Sequence, residues 1–270
     1  MSEEVLINVT PTETRVAVVE NGMLQEVSLE RNSYLGYLGN IYKGTVSRVL
    51  PGMQAAFRDI GLDRTALLHA SDIYRFTDEQ MPDDPPPEPS INSLVREGES
   101  VVVQVIKDPL GTKGARLTTQ ITIPSRYLVL MPEVKCMGVS STLEDESERG
   151  RLKELVIRLT EDGDEGYIVR TAAEGVGKEA LQTDINYLQK LWGIIREREM
   201  TAQPGDMVYE ELNLMMRTLR DFIDDSIEKI LVDSRGAYQR MCDFADKYLA
   251  DLADRLELYS GERPLFDLYN

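Results

Sequence analysis

The sequence predicts a multidomain α+β protein built around a small closed β-barrel of the OB type, and three observations carry that reading. Between Asn40 and Thr119, five short β-rich runs alternate with glycine-containing turns, the pattern of a small barrel. Beyond Pro124, strand-like and helix-like periodicities alternate. With 270 residues, the chain has room for about two domains, each with its own core.

Taken in order, Val5 to Val9 and Thr14 to Val19 are β-rich, and Asn21-Gly22 leads to a third run at Leu24 to Leu29, so the chain starts as a hairpin meander. The barrel runs are NIYKGTVSRVL, QAAFRDIG, RTALLHA, SVVVQVIKD and GARLTT, with the turn Pro51-Gly52 between the first two. Residues 78–99 interrupt them with five of the chain's twelve prolines. No packed element tolerates that spacing, so a flexible, exposed acidic loop is expected over 78–99. Arg126 to Met131 reads as a strand. Ser141 with Glu144 reads as a capping box before a helix whose apolar face is Leu152, Leu155, Val156 and Leu159. A strand at Gly166 to Val169 precedes a helix marked by Leu181, Ile185, Leu188, Trp192 and Ile195. Pro204-Gly205 breaks the chain. A long helix with Leu212, Met216, Leu219, Ile223 and Ile227 on one face follows. After it come a strand at Lys229 to Val232, a helix from Arg235 to Leu252 with Tyr238, Met241, Ala245 and Leu249 inward, and a strand at Leu256 to Leu258.

Composition excludes several classes. Apolar residues at 42% and charged residues at 29% exclude collagen, membrane spans and wholesale disorder. Two cysteines, Cys136 and Cys242, and one histidine, His69, exclude a disulfide framework or a Cys/His zinc site within the chain. The acidic start MSEEVLINV implies a cytoplasmic protein without a membrane partner. A net charge of −17 repels nucleic acid unless basic groups are segregated. They are: the barrel without its loop holds eight basic residues against four acidic, and the loop holds seven acidic against one. Such a barrel suits single-stranded nucleic acid, which is held by a basic groove with aromatic platforms. Phe57 beside Arg58 and Tyr42 beside Lys43 are the rings available. Strand alternation establishes only that Phe57 and Arg58 face opposite ways, so Phe57 in the core stays an open reading.

The stretch YIVRTAAEGVG, 167–177, ends a strand in Arg170 and Thr171 and passes through two glycines to a helix. A guanidinium fork, a hydroxyl and free amides can together hold a phosphate. Structural roles, an arginine paired to a carboxylate and a threonine capping a turn, satisfy the same spacing.

GNIYKGTVSRVLPGMQAAFRDIGLD at 39–63, HASDI at 69–73, IKDPLGTKGARLTT at 106–119, PSRYLVLMP at 124–132, RTAAEGVG at 170–177 and YSGERPLFDLY at 259–269 together resemble the N-terminal part of the ribonuclease E/G family of bacterial endoribonucleases. The resemblance implies a ribonuclease-H-like domain in two segments, 1–35 and 216–270, interrupted by an OB-fold RNA-binding domain at 36–125 and an α/β 5′-sensor domain at 126–215. It implies that Arg170, Thr171 and the Val129 amide hold the 5′-monophosphate of an RNA. It also implies that Phe57, Lys107 and Lys113 grip the strand; the charge reading adds Lys43 and Arg116. One family aromatic falls on Leu67, which weakens or displaces stacking.

The family's magnesium-binding aspartate pair follows YSGERPLFDLY, and its zinc-linking cysteines lie further on. No catalytic or metal-binding residue is therefore expected in this chain. Asp224-Asp225 and Asp233 read as solvated or capping. The resemblance implies a single-strand-specific endoribonuclease, a homodimer or higher in full length, that acts in ribosomal RNA 5′ maturation and mRNA decay on 5′-monophosphorylated RNA. The 270 residues alone are expected to bind RNA and not to cleave it. The rival readings are a non-catalytic OB-fold RNA-binding regulator or chaperone, and an acidic scaffold for basic proteins.

Overall fold

Asn21 and Gly22 both take positive φ, 49° and 79°, the left-handed pair that a two-residue hairpin turn needs, and the expected meander forms around them. In the computed structural model the described residues are 3–34, 36–73, 89–160, 163–221, 227–248 and 250–268. Strands β1 (Glu3–Val9), β2 (Glu13–Glu20) and β3 (Met23–Arg31) pair antiparallel. Next come β4 (Ile41–Leu50), β5 (Ala55–Asp59), β6 (Ala66–His69), a one-turn helix α1 (Ile91–Leu94), β7 (Ser100–Lys107) and β8 (Arg116–Thr118). They are followed by β9 (Ile123–Pro124), β10 (Leu128–Met131), β11 (Met137–Val139), helix α2 (Glu146–Leu159), β12 (Gly166–Val169), helix α3 (Lys178–Thr201) and β13 (Met207–Tyr209). Last come α4 (Leu214–Asp221), β14 (Ile227–Val232), α5 (Arg235–Tyr248) and β15 (Leu256–Leu258).

Met1–Gly36 with Leu212–Asn270 form one compact unit, and Tyr37–Glu211 form another. The first unit holds a five-stranded sheet in the order β15-β14-β1-β2-β3, with β14 parallel to both β1 and β15. Central β1 is covered on both faces. Val5 and Ile7 pack with α4 and α5 through Leu219, Met241 and Ala245, and Leu6 packs with Leu265 on the other side. A parallel strand buried on both faces reads as an unbroken apolar run, and VLI is one.

In the second unit the five barrel strands close completely. β4 pairs with β5, β5 with β6, β6 with β8, β8 with β7, and β7 returns to β4. Closure leaves no free edge. Just ahead of the parallel β6–β8 contact the backbones come so close that a Cβ on Gly114 would lie 1.9 Å from Thr65 O, which is why glycine stands two residues before β8. A second sheet, in the order β11-β12-β10-β9, carries α2 and α3. β13 then pairs with β4. One core spans both parts: Ile41 of β4 and Val208 and Tyr209 of β13 pack with Leu128, Val169 and Leu188.

Three expectations need correction, and one strand was not expected. Of the helix expected over Leu212 to Ile227, the described part is Leu214–Asp221, and Ile227 starts β14 instead; Ile223 and Asp224-Asp225 lie outside the described residues. The strand Met207–Tyr209 carries no alternation long enough to read. The cap of α2 is Asp145, which accepts the Ser147 amide, and not Ser141. Part of the segment 78–99 is packed: Ile91 is fully buried and Val95 nearly so, plugging one barrel end beside Val46 and Ala56. The prolines hid this short i, i+4 apolar pair; residues 78–88, like Arg75, lie outside the described residues.

Candidate nucleic-acid interface

Register across the barrel decides which side chains share its outer face. Arg48 of β4 stands opposite Phe57 of β5, Phe57 opposite Leu67 of β6, Leu67 opposite Arg116 of β8, and Arg116 opposite Lys107 of β7. Directly opposed residues lie on the same face, so these five form one row around the barrel. Arg48 and Lys107 are exposed and the other three half-buried. A bulge at Ser47, whose hydroxyl donates to Phe57 O at 3.0 Å, shifts β4 by one residue and brings Arg48 rather than Ser47 opposite the ring. Phe57 thus faces outward. Arg48 was missed as a site residue because a bulge cannot be read from alternation.

The neighbour that alternation turns inward is Arg58. It is wholly buried, and none of its three guanidinium nitrogens has a hydrogen-bond partner among the described residues. Burial pulls its pKa down to about 10, against a weaker upward pull from Glu99.

The remaining predicted cations divide. Lys113 is exposed in the turn bridged by Leu110 and Lys113. The Arg116 guanidinium holds the Asp72 carboxylate through Nε at 2.8 Å and Nη2 at 3.1 Å, and this bond with its charge raises the Arg116 pKa. The Lys43 ammonium donates to Glu199 O at 3.0 Å, where it caps the carbonyl end of α3. Lys43 is thereby turned to the end of α3 rather than to the row.

The second predicted site lies at the end of β12. Arg170 and Thr171 line an open hollow of about 520 Å³ together with Val139, Ser140, Ser141 and Ile168. The Arg170 guanidinium is anchored from behind: Nη1 donates to Ser125 O and, at 3.3 Å, to Arg126 O. Thr171 is exposed and shares a hydroxyl cluster: Thr142 Oγ1 lies 2.7 Å from both Thr171 Oγ1 and Ser140 Oγ. Neither Ser140 nor Thr142 stood out in the sequence, since a hydroxyl pair before a helix reads first as a cap.

Val129 does not line the hollow. It pairs with Ile168 and Pro124 in mid-sheet. The Arg170 amide donates to Tyr127 O at 2.8 Å, and alternation along the antiparallel ladder then engages the Val129 amide with Ile168 O.

The loop beyond Thr171 is clamped to α2. Glu148 accepts the Gly175 amide at 2.8 Å and pairs with Arg151 through two bonds of 2.7 Å, and Arg151 also donates to Val176 O at 3.0 Å. The Arg151 bond first, then the Gly175 amide, hold the Glu148 pKa down to about 2.

Among the described residues no three His, Cys, Asp or Glu side chains gather as metal ligands would. Asp233 is held by the Val9 amide at 3.0 Å and Asn8 Nδ2 at 2.5 Å. No described helix is long and apolar enough to cross a membrane.

Comparison with known proteins places this geometry. The profile of the "Ribonuclease E/G family" matches residues 122–270. Ribonuclease G of Salmonella typhimurium (strain SL1344) is 52% identical over 272 residues, covering 100% of this chain and 55% of that protein. Ribonuclease G of Haemophilus influenzae is 50% identical over 268 residues, 98% of this chain and 54% of its own length. Ribonuclease E of Escherichia coli (strain K12) is 34% identical over 276 residues, 99% of this chain and 25% of its own. The chain therefore spans about half the length of the ribonuclease G proteins it matches. With half of its residues identical to theirs from end to end, and with a closed five-stranded barrel, this chain belongs to the ribonuclease E/G family.

Proposed function

We propose that this chain is the RNA-recognising part of a single-strand-specific endoribonuclease that prefers 5′-monophosphorylated RNA, and that by itself it binds RNA without cleaving it. The observation that carries the reading is the row Arg48–Phe57–Leu67–Arg116–Lys107, in which an outward ring is flanked by cations on a barrel of an otherwise acidic chain. Single strands are gripped by such rows: the ring stacks on a base while cations track the phosphates. Lys113 extends the positive surface.

In the same reading, Arg170 and Thr171 take the terminal phosphate in their hollow. The guanidinium supplies charge-assisted bonds and the hydroxyl a neutral one. A 5′-hydroxyl end forfeits the charged bonds, and a triphosphate overfills a site shaped for one terminal group. Val129 joins through its amide only where the ladder bond to Ile168 gives way to phosphate. The sheet order β15-β14-β1-β2-β3 supports assigning 1–35 and 216–270 to a ribonuclease-H-like domain, with the barrel at 36–125 and the 5′-sensor at 126–215.

The test is a titration of one single-stranded oligoribonucleotide bearing a 5′-monophosphate, a 5′-triphosphate or a 5′-hydroxyl against the full chain at two salt concentrations. Salt-sensitive binding that is tightest for the monophosphate, with no cleavage in magnesium, is expected. Equal affinity for the three ends refutes the phosphate site, and absence of salt-sensitive binding refutes the barrel row.

A further inference from the structure

We propose that Asp184 is a positioning residue that aims the Arg170 guanidinium at the terminal phosphate, acting through two rigid peptide units; this rests on the reading of Arg170 as a phosphate ligand. Asp184 lies on α3 and is only 8% exposed. Its Oδ2 takes the Ser125 hydroxyl at 2.5 Å and the amides of Tyr127 and Leu128 at 3.0 Å each. Those donors form the turn between β9 and β10.

The far edges of the same peptides hold Arg170. In a trans peptide the N–H and C=O point opposite ways across one plane. The unit joining Arg126 to Tyr127 ends at Asp184 through its N–H and at Arg170 Nη1 through its C=O, 3.3 Å away. The unit joining Tyr127 to Leu128 ends at Asp184 through its N–H and at the Arg170 amide through its C=O, 2.8 Å away. One carboxylate thus sets the tilt of both planes, and the planes set the backbone and side chain of one arginine. A carboxylate drawing on two N–H groups also polarises their carbonyls, which strengthens the bonds on the far side.

Burial pushes the Asp184 pKa up, and the bonds from the Ser125 hydroxyl and from the backbone of Tyr127, Leu128 and Arg126 pull it back. A turn that needed only to be filled would be served more cheaply by an apolar side chain. A buried carboxylate bonded to one edge of the turn, with an arginine bonded to the other, gives that arginine one aim before ligand arrives.

The experiment measures binding of one oligoribonucleotide with a 5′-monophosphate or a 5′-hydroxyl to the full chain, in wild type, Arg170→Ala, Asp184→Asn and the double variant. The readout is the affinity ratio of the two ends. Partial unfolding lowers both affinities together and leaves that ratio unmoved, so a merely structural role does not register. Asp184→Asn is expected to lower the ratio about tenfold or more, the equivalent of one charge-assisted bond, with 5′-hydroxyl affinity unchanged and no further loss in the Arg170→Ala background. Ser125→Ala, which removes the hydroxyl donor and keeps the carboxylate, is expected to lower the ratio by a smaller factor should Asp184→Asn not fold. A wild-type ratio retained in both Asp184→Asn and Ser125→Ala, while Arg170→Ala abolishes it, overturns the positioning role alone. Equal affinity for both ends in wild type overturns the phosphate reading and this proposal with it.

Discussion

Glu148 of α2 accepts the backbone N–H of Gly175 at 2.8 Å, which ties the loop after Arg170 and Thr171 to that helix. The tie is charged, since the same carboxylate holds Arg151, so it has a pH signature. The folded pKa of Glu148 is held down to about 2 from an ordinary 4.5. A depressed carboxylate contributes stability above its unfolded pKa and loses it as pH falls through the folded one. Stability should therefore fall between pH 4.5 and 2 in wild type and less steeply in Glu148→Gln. The expected difference is about 1 kcal/mol, because Arg151 is 43% exposed and water screens the pair. Denaturant titrations across that pH range measure it; parallel curves for the two proteins would reject the clamp.

Phe57→Ala should weaken single-stranded RNA binding by about 1 to 3 kcal/mol, the value of one stacked base. Leu67→Phe should strengthen it, since Leu67 stands directly opposite Phe57 on the same face. Fluorescence anisotropy with a labelled oligoribonucleotide reads both, and a Phe57→Ala protein that binds like wild type removes the stacking role.

Cations in the row should differ according to what they already hold. Lys107→Ala and Arg48→Ala should each lower the salt slope of binding by about 0.7, one phosphate's share on a single strand. Arg116→Ala should instead cost fold stability, about 1 to 3 kcal/mol, by leaving the 7%-exposed Asp72 side chain without its guanidinium. The thermal midpoint of Arg116→Ala beside the salt slopes of the other two checks the division.

Arg58→Val should stabilise the barrel. A wholly buried guanidinium without hydrogen-bond partners among the described residues is the costliest kind of interior group, and a β-branched apolar residue suits an inward strand position. A gain of about 1 to 4 kcal/mol in urea unfolding is expected; destabilisation would mean that the guanidinium finds a partner in solution.

Much of this was legible in the residues. The five barrel runs, the Asn21-Gly22 hairpin, Gly166–Val169 and Leu256–Leu258 carry their own periodicity and turn chemistry, and each forms where the sequence puts it. What stayed hidden depends on partners distant in the chain. The row on the barrel needs inter-strand register and a bulge at Ser47, and neither leaves a mark in local alternation. Met207–Tyr209 is too short to read without β4 beside it. Lys43 and Arg116 look like free cations until Glu199 and Asp72 are seen to occupy them. The Asp184 network joins residues far apart in the chain through backbone groups, which no side-chain motif encodes.

β13 has a wider consequence. By pairing with β4, while Gly205 donates to Lys43 O and Lys43 donates to Asp206 O, it welds the end of α3 to the barrel wall. Under the proposed reading, a strand held by its leading phosphate at Thr171 and by a base on Phe57 would have to bridge a separation that this weld keeps constant.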